Sequence, residues 1–249
     1  MDTLIAALTN LSVCAPEAAA EREDVIDLTT VPDTLDPLPT TQTTTPSLPP
    51  LSSKTLTASQ KSLLKSTFAE HPDIGALLSR TWLSSDTINT YLTLLTPLRP
   101  TILFLNTYFW STLTKDGYAR VKRWTRRYKE GIYGFTKVVI PIHTGCHWCL
   151  LTIDNSTRTI TYYDSLLNDP TPKFRTLLKY LAAEHADKAT GNLPSYSTHH
   201  AKCPQQTDGS SCGIWLCLFI RKFIGDDVSL DVEEFRWKLA WELVAGCVG

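Results

Sequence analysis

HWCLLTIDNSTRTITYYD, residues 147–164, is the stretch on which the reading of this chain turns. HWCLLTI (147–153) and RTITYYD (158–164) are short, β-branched and aromatic, the composition of strands. Between them, Asp154-Asn155-Ser156-Thr157 is a turn signal, and a two-residue loop at Asn155-Ser156 predicts an antiparallel hairpin. In that register opposed residue numbers sum to about 311, which sets His147 opposite Asp164. Cross-strand neighbours on one face have Cβ atoms about 4.5–5.5 Å apart, so the two side chains should touch. A carboxylate beside an imidazole fixes its tautomer and stabilises the imidazolium, as in a catalytic triad. An ordinary His–Asp pair at a sheet edge fits the same residues.

Outward from the hairpin, KVVIPI (137–142) reads as a further strand, and helical spacing returns after Pro172 with Leu177, Leu178 and Leu181 near one stripe. GIWLCLFIRKFI (213–224) is apolar on nearly every face until Arg221, which predicts a helix buried in the centre of the domain. Amphipathic helices are expected around Leu63 to Phe68, from about Ser84 to Leu95, and from about Asp231 to Val244. The fold class is α+β, a small central sheet flanked by helices. Cys212 lies in DGSSCGIWLC, at the head of the buried helix, where the helix dipole favours a thiolate. Cys217 lies inside that helix and Cys149 within a strand; structural cysteines are common enough that position alone does not settle a role. Cys146 and Cys149 have C-x-x-C spacing with His143 and His147 nearby. However, no second cysteine pair follows, and residues 146 and 149 of a strand point to opposite faces, which reads against zinc.

The 249 residues are 43% hydrophobic, enough for one sizeable core plus a tail. Before Lys54 stand one basic residue, Arg22, and eight acidic ones; from Lys54 onward 23 basic residues face 17 acidic ones. An excess that small does not by itself suggest nucleic-acid binding. Residues 29–53 are rich in Thr, Pro and Ser without an aromatic, so 1–54 reads as a disordered acidic tail and linker, and 55–249 as the folded domain. Seven cysteines without framework spacing suit a reducing, nuclear or cytoplasmic compartment. No basic residue precedes the short apolar run Leu4 to Leu8, which argues against a secretory signal. No apolar run is long enough to span a membrane.

VKRWT (121–125), IPIHTGCHWCL (140–150), TITYYDS (159–165) and CPQQTDGSSCG (203–213) resemble the SUMO-specific (sentrin-specific) protease family. The likeness runs from about Trp82 to FRWKLAWELV (235–244). It implies a papain-like cysteine protease fold without metal or cofactor, with His147 as general base, Asp164 as its orienting partner and Cys212 as nucleophile. Gln206 would join the backbone N–H of Cys212 in the oxyanion hole. Trp82 and Trp148 would close over the substrate's terminal glycines, admitting Gly-Gly but no Cβ. The implied activity is cleavage after the Gly-Gly of SUMO or a SUMO-like modifier by a monomer that binds the modifier and its conjugates. Ser211 and Ser85 depart from the family's usual Asp, with Asp86 one step beyond Ser85. In the tail, Val25-Ile26-Asp27-Leu28, preceded by Glu21, Glu23 and Asp24, resembles a SUMO-interacting motif, which binds by adding a strand to a sheet edge. Two other functions are weighed: a viral-type or divergent endopeptidase of the same fold, acting on polyproteins or another modifier, and a catalytically idle SUMO-binding adaptor. The co-occurrence of His147, Asp164, Gln206 and Cys212 argues against the adaptor.

Overall fold

The computed structural model of the protein describes residues 48, 49, 51, 55–68, 71–189 and 191–249. The motif at Val25 to Leu28 lies outside them. A five-stranded sheet has the order β1-β2-β3-β4-β5, formed by β1 (Ile102–Phe104), β2 (Lys137–His143), β3 (Trp148–Asp154), β4 (Thr159–Tyr163) and β5 (Ser197–His200). Strands β2, β3 and β4 are antiparallel, while β1 and β5 pair in parallel at the two edges. Helices α1 (Ala58–Phe68), α2 (Pro72–Leu78) and α3 (Ser85–Leu95) precede the sheet. Between β1 and β2 come α4 (Tyr108–Asp116) and α5 (Tyr118–Val121), between β4 and β5 comes α6 (Thr171–Lys188), and α7 (Cys212–Phe223) and α8 (Val232–Ala245) follow.

Both faces of the sheet are covered. Val139 and Leu150 turn to one side, against Ile214 and Leu218 of α7 and Leu239 of α8. Val138, Ile140, Leu151 and Ile153 turn to the other, against Phe109 of α4 and Leu177 and Leu181 of α6. Strands buried on both faces need apolar residues at nearly every position, which is why KVVIPI and CLLTI lack a polar alternation. Leu178, read from the sequence as part of the α6 stripe, is instead 39% exposed, because one residue along a helix turns the side chain about 100° away. Ser84 caps α3 by accepting from the Thr87 N–H, and Asp231 caps α8 by accepting from Glu233 and Glu234. These caps satisfy donors that have no partner in a first helical turn.

The hairpin register differs from the sequence expectation. Leu150 lies opposite Tyr163 and Asp154 opposite Thr159, so opposed numbers sum to 313, and the loop is residues 155–158 rather than a two-residue turn. Asp154 Oδ1 accepts from the backbone of Ser156 and Thr157 at 2.9 and 3.0 Å, and Arg158 takes a left-handed φ of 56°. This side-chain-organised loop wins over a tighter turn that would need left-handed backbone at its centre. The shift is an even one, so each side chain keeps its face. Asp164 extends β4 to the level of Cys149, and His147 stands diagonally across, one pleat away.

The packed chain also begins earlier than composition suggested. Leu48 and Leu51 are buried in the core beside α8, and Trp241 Nε1 donates to the Pro49 carbonyl at 2.8 Å. Leu48, Leu51 and Trp241 belong to one buried cluster, a local effect that averaging over residues 29–53 conceals. On the far end of α7, Arg221 is buried and donates to Tyr91 at 2.7 Å, to both Glu242 oxygens at 3.0 and 3.1 Å, and to Asp226. Paired and fully hydrogen-bonded, this guanidinium holds α7 against α3 and α8 where an unpaired charge would destabilise the core.

Candidate active site

Three segments converge at one end of the sheet. His147 precedes β3, Asp164 follows β4, and Cys212 opens α7; all three are buried. His147 Nε2 lies 2.6 Å from Asp164 Oδ1. That bond leaves Nδ1 free of Asp164, and Cys212 is close enough to act electrostatically on the imidazole. The sequence placed His147 and Asp164 directly opposite one another; they meet instead across the diagonal, within reach of extended side chains on one face.

Asp164 accepts from more groups than His147. Leu166 N donates to Oδ1 at 2.8 Å, while Tyr162 Oη at 2.7 Å, Asn168 Nδ2 at 2.9 Å and Asn168 N at 3.2 Å donate to Oδ2. Burial opposes ionisation of Asp164, but these donors together with His147 override it and hold the carboxyl well below the usual carboxylate range. Burial likewise opposes a charge on His147, and Asp164 and Cys212 outweigh it, raising the imidazole to about 9. Burial is the main cause that pushes the Cys149 and Cys217 thiols each up to about 12, so both are protonated at neutral pH. Tyr162 and Asn168 were not read from the sequence as site residues. A tyrosine two positions before Asp164 on the same strand face was the available signal for the first; Asn168 reaches back only because Leu167 turns through a left-handed φ of 53°.

The loop before Cys212 is organised by Asp208. Its Oδ1 accepts from the Ser210 and Ser211 N–H groups at 2.7 Å each, and its Oδ2 from the Ser211 hydroxyl at 2.7 Å. Ser211, noted as a departure, therefore ties the nucleophile's neighbour to this loop. Gln206 is held on both ends: Oε1 accepts from Ser165 at 2.7 Å, Nε2 donates to the Asp208 carbonyl at 2.7 Å, and its backbone N–H reaches the Ser165 carbonyl. Asp86 is exposed in the first turn of α3 and accepts from the Tyr108 hydroxyl at 3.4 Å.

The two tryptophans differ in burial and share a neighbourhood. Trp82 is 50% exposed, and its Nε1 donates to the Gly209 carbonyl at 2.7 Å. Trp148 is buried, and its Nε1 donates to the Leu83 carbonyl at 3.0 Å. The segment Trp82-Leu83 is thus tied both to the loop before Cys212 and to the residue after His147. A Cβ on Gly213 would lie 2.9 Å from Leu83 Cβ, so glycine is what permits α7 to approach this segment.

A cysteine at the head of a buried helix, faced by a His–Asp pair at the end of a mixed sheet, is the arrangement of a papain-like cysteine protease fold. The sequence profile described as "Ulp1 protease family, C-terminal catalytic domain" matches residues 81–244, and the chain belongs to that family. It is 37% identical over 186 residues to a sentrin-specific protease of Caenorhabditis elegans, covering 70% of this chain and 26% of the relative. To sentrin-specific protease 2 of Homo sapiens it is 31% identical over 189 residues, covering 69% of this chain and 31% of the relative. The matched region is thus about a quarter to a third of these relatives' length. The C-terminal Ulp1 protease domain, solved in complex with Smt3, the yeast ortholog of SUMO, superposes with a TM-score of 0.68 at 26% identity, covering 77% of this chain and 96% of that one.

Proposed function

We propose that this chain is a cysteine protease that cleaves after the terminal Gly-Gly of SUMO or a SUMO-like modifier, as an isopeptidase and processing peptidase. The observation that carries the reading is the 2.6 Å His147–Asp164 bond, with Cys212, at the head of α7, close enough to act on the same imidazole. The solved Ulp1 domain in complex with Smt3 supports the substrate class.

In the proposed reaction the Cys212 thiolate attacks the glycine carbonyl carbon, and the carbonyl electrons move onto oxygen. Gln206 has a second amide N–H beyond the one given to Asp208, and with the Cys212 backbone N–H it would face that oxyanion. As the C–N bond breaks, the imidazolium of His147 gives its proton to the departing lysine amine. A water then loses a proton to His147 and attacks the thioester, expelling the Cys212 thiolate and releasing the modifier's carboxylate. Asp164 keeps His147 oriented through both proton transfers and stabilises the imidazolium that precedes the first and follows the second. Trp82 and Trp148 would flank the Gly-Gly segment, with Trp82 the more exposed partner.

Among the described residues no helix is long and apolar enough to cross a membrane. The proposed place of action is a reducing nuclear or cytoplasmic compartment, where Cys212 stays reduced, and Val25, Ile26, Asp27 and Leu28 are proposed to bind SUMO. The test is a panel of glycine-vinyl-sulfone probes built on SUMO, ubiquitin and other modifiers. A covalent adduct at Cys212 with SUMO alone is expected. Labelling by ubiquitin alone would reassign the substrate, and labelling by none would leave an idle adaptor.

A further inference from the structure

From Lys54 onward basic residues exceed acidic ones by about six, and one short stretch accounts for that excess. Residues 117–129 hold Arg120, Lys122, Arg123, Arg126, Arg127 and Lys129 without a single acid. All but Arg123 are exposed. The backbone that carries them is anchored: Trp124 and Thr125 are buried, and Trp124 Nε1 donates to Asn106 Oδ1 at 3.1 Å. The backbone that presents the cations is therefore held in place.

Two clefts open beside them. One, of about 190 Å³, runs along the outermost strand β1 over Ile102 and Phe104; the other, of about 350 Å³, reaches Lys129 and Gly134 and has one acid, Glu130, on its wall among the cations. Arg127, Tyr128 and Phe135 line both, so the two adjoin across one shared wall, as the two halves of a groove. The Tyr128 ring packs edge-on to Phe135 at 4.8 Å and forms the ridge between them. This groove flanks the Lys137 end of β2, whereas His147 follows the opposite end, roughly 20 Å away at ~3.3 Å per residue.

We propose that this groove is a second docking surface, separate from the active site, for an extended acidic peptide segment carrying one apolar side chain. The acids would meet these cations, and the apolar side chain would enter the cleft over β1. Opposite charge steers such an encounter and sets its register, while the smaller cleft, below the roughly 300 Å³ of ordinary ligand sites, suits a single side chain. Nucleic acid fits less well. Single strands stack their bases on presented aromatic faces, and here Trp124 is buried and Tyr128 stands edge-on to Phe135.

The experiment is fluorescence anisotropy with the whole chain and three labelled probes. These are an alternating Glu/Asp decapeptide with one central leucine, the same peptide with that leucine replaced by alanine, and a short duplex DNA. Wild type should bind the leucine peptide at least about tenfold more tightly than the alanine peptide, the ratio expected for burying one such side chain. Lys122→Glu/Arg127→Glu/Lys129→Glu should lose at least about tenfold in affinity for it while keeping modifier-probe labelling at Cys212. If labelling is lost as well, the milder Lys122→Glu/Lys129→Glu pair is read instead, with the same loss expected. Equal binding of both peptides, unchanged binding by the reversal variants, or tighter binding of the duplex would each overturn the proposal. Because labelling is scored separately, a chain that docks the peptide without reacting would count against the proposed activity alone.

Discussion

Tyr162 donates its hydroxyl to Asp164 Oδ2 at 2.7 Å, on the carboxylate oxygen opposite the one that His147 engages. The carboxylate is thus gripped from both sides, by the base it orients and by a strand residue that fixes its plane. Tyr162→Phe should keep the fold, because Asn168 still holds Oδ2, at a cost of about 1–3 kcal/mol in thermal or denaturant unfolding. With one donor gone, Asp164 becomes a stronger acceptor for His147. The imidazole should then titrate at higher pH by NMR, with a modest fall in kcat. An unmoved imidazole titration would mean that the hydroxyl contributes packing alone.

Asp164→Asn removes the charge that outweighs the burial of His147. The imidazole should drop from about 9 to below its ordinary 6.5, and kcat at neutral pH should fall on the order of 10²–10⁴-fold. Near-normal turnover in this variant would contradict the proposed role of the pair.

The same two shifts set a pH window for stability. Asp164, depressed in the fold, contributes fully above its unfolded value of about 3.9, and its contribution is lost as pH falls toward the folded value. His147, raised in the fold, contributes fully below about 6.5 and loses that contribution as pH rises through about 9. Unfolding free energy should therefore be highest between about pH 4 and 6.5 as far as this pair is concerned, and Asp164→Asn should flatten both limbs. Urea melts across pH 3–10 would check it, and a variant profile parallel to wild type would refute the linkage.

Cys212→Ala should abolish turnover yet retain binding of the modifier, because the three groups act on one sulfur. Cys146→Ser, at an exposed position, should leave turnover within about twofold of wild type, since surface substitutions rarely matter. Turnover surviving in the first variant and lost in the second would exchange the nucleophile.

The tryptophans should separate binding from stability. Trp82→Ala, at a half-exposed side chain, should change the melting temperature little and lower kcat/KM for a modifier substrate by about tenfold or more. Trp148→Ala should cost about 3–5 kcal/mol of stability, as for other buried tryptophans. Equal destabilisation by both would show that Trp82 is a core residue in solution.

The central strands and the buried helix were legible because their patterns are long and consistent. The His147–Asp164 contact was reached through a register wrong by two residues, and parity rescued it: an even slip leaves both side chains on one face. The edge strands were not legible. ILF at 102–104 is too short to show a period, and STHH at 197–200 is exposed throughout. Asn168 and Gly209 join the site through loop conformation, which residue type alone does not encode. The two packed leucines at 48 and 51 escaped notice for a different reason, since their neighbours have the composition of a linker.

The tethers of Trp82 to Gly209 and of Trp148 to Leu83 span 127 and 65 positions of sequence. Base, nucleophile and the indoles between them therefore come together only when distant parts of the polypeptide have closed on one another. A nascent or partly unfolded chain holds a cysteine and a histidine but no dyad. Reactivity at Cys212 would therefore require the folded chain, and labelling of that sulfur would report on folding itself.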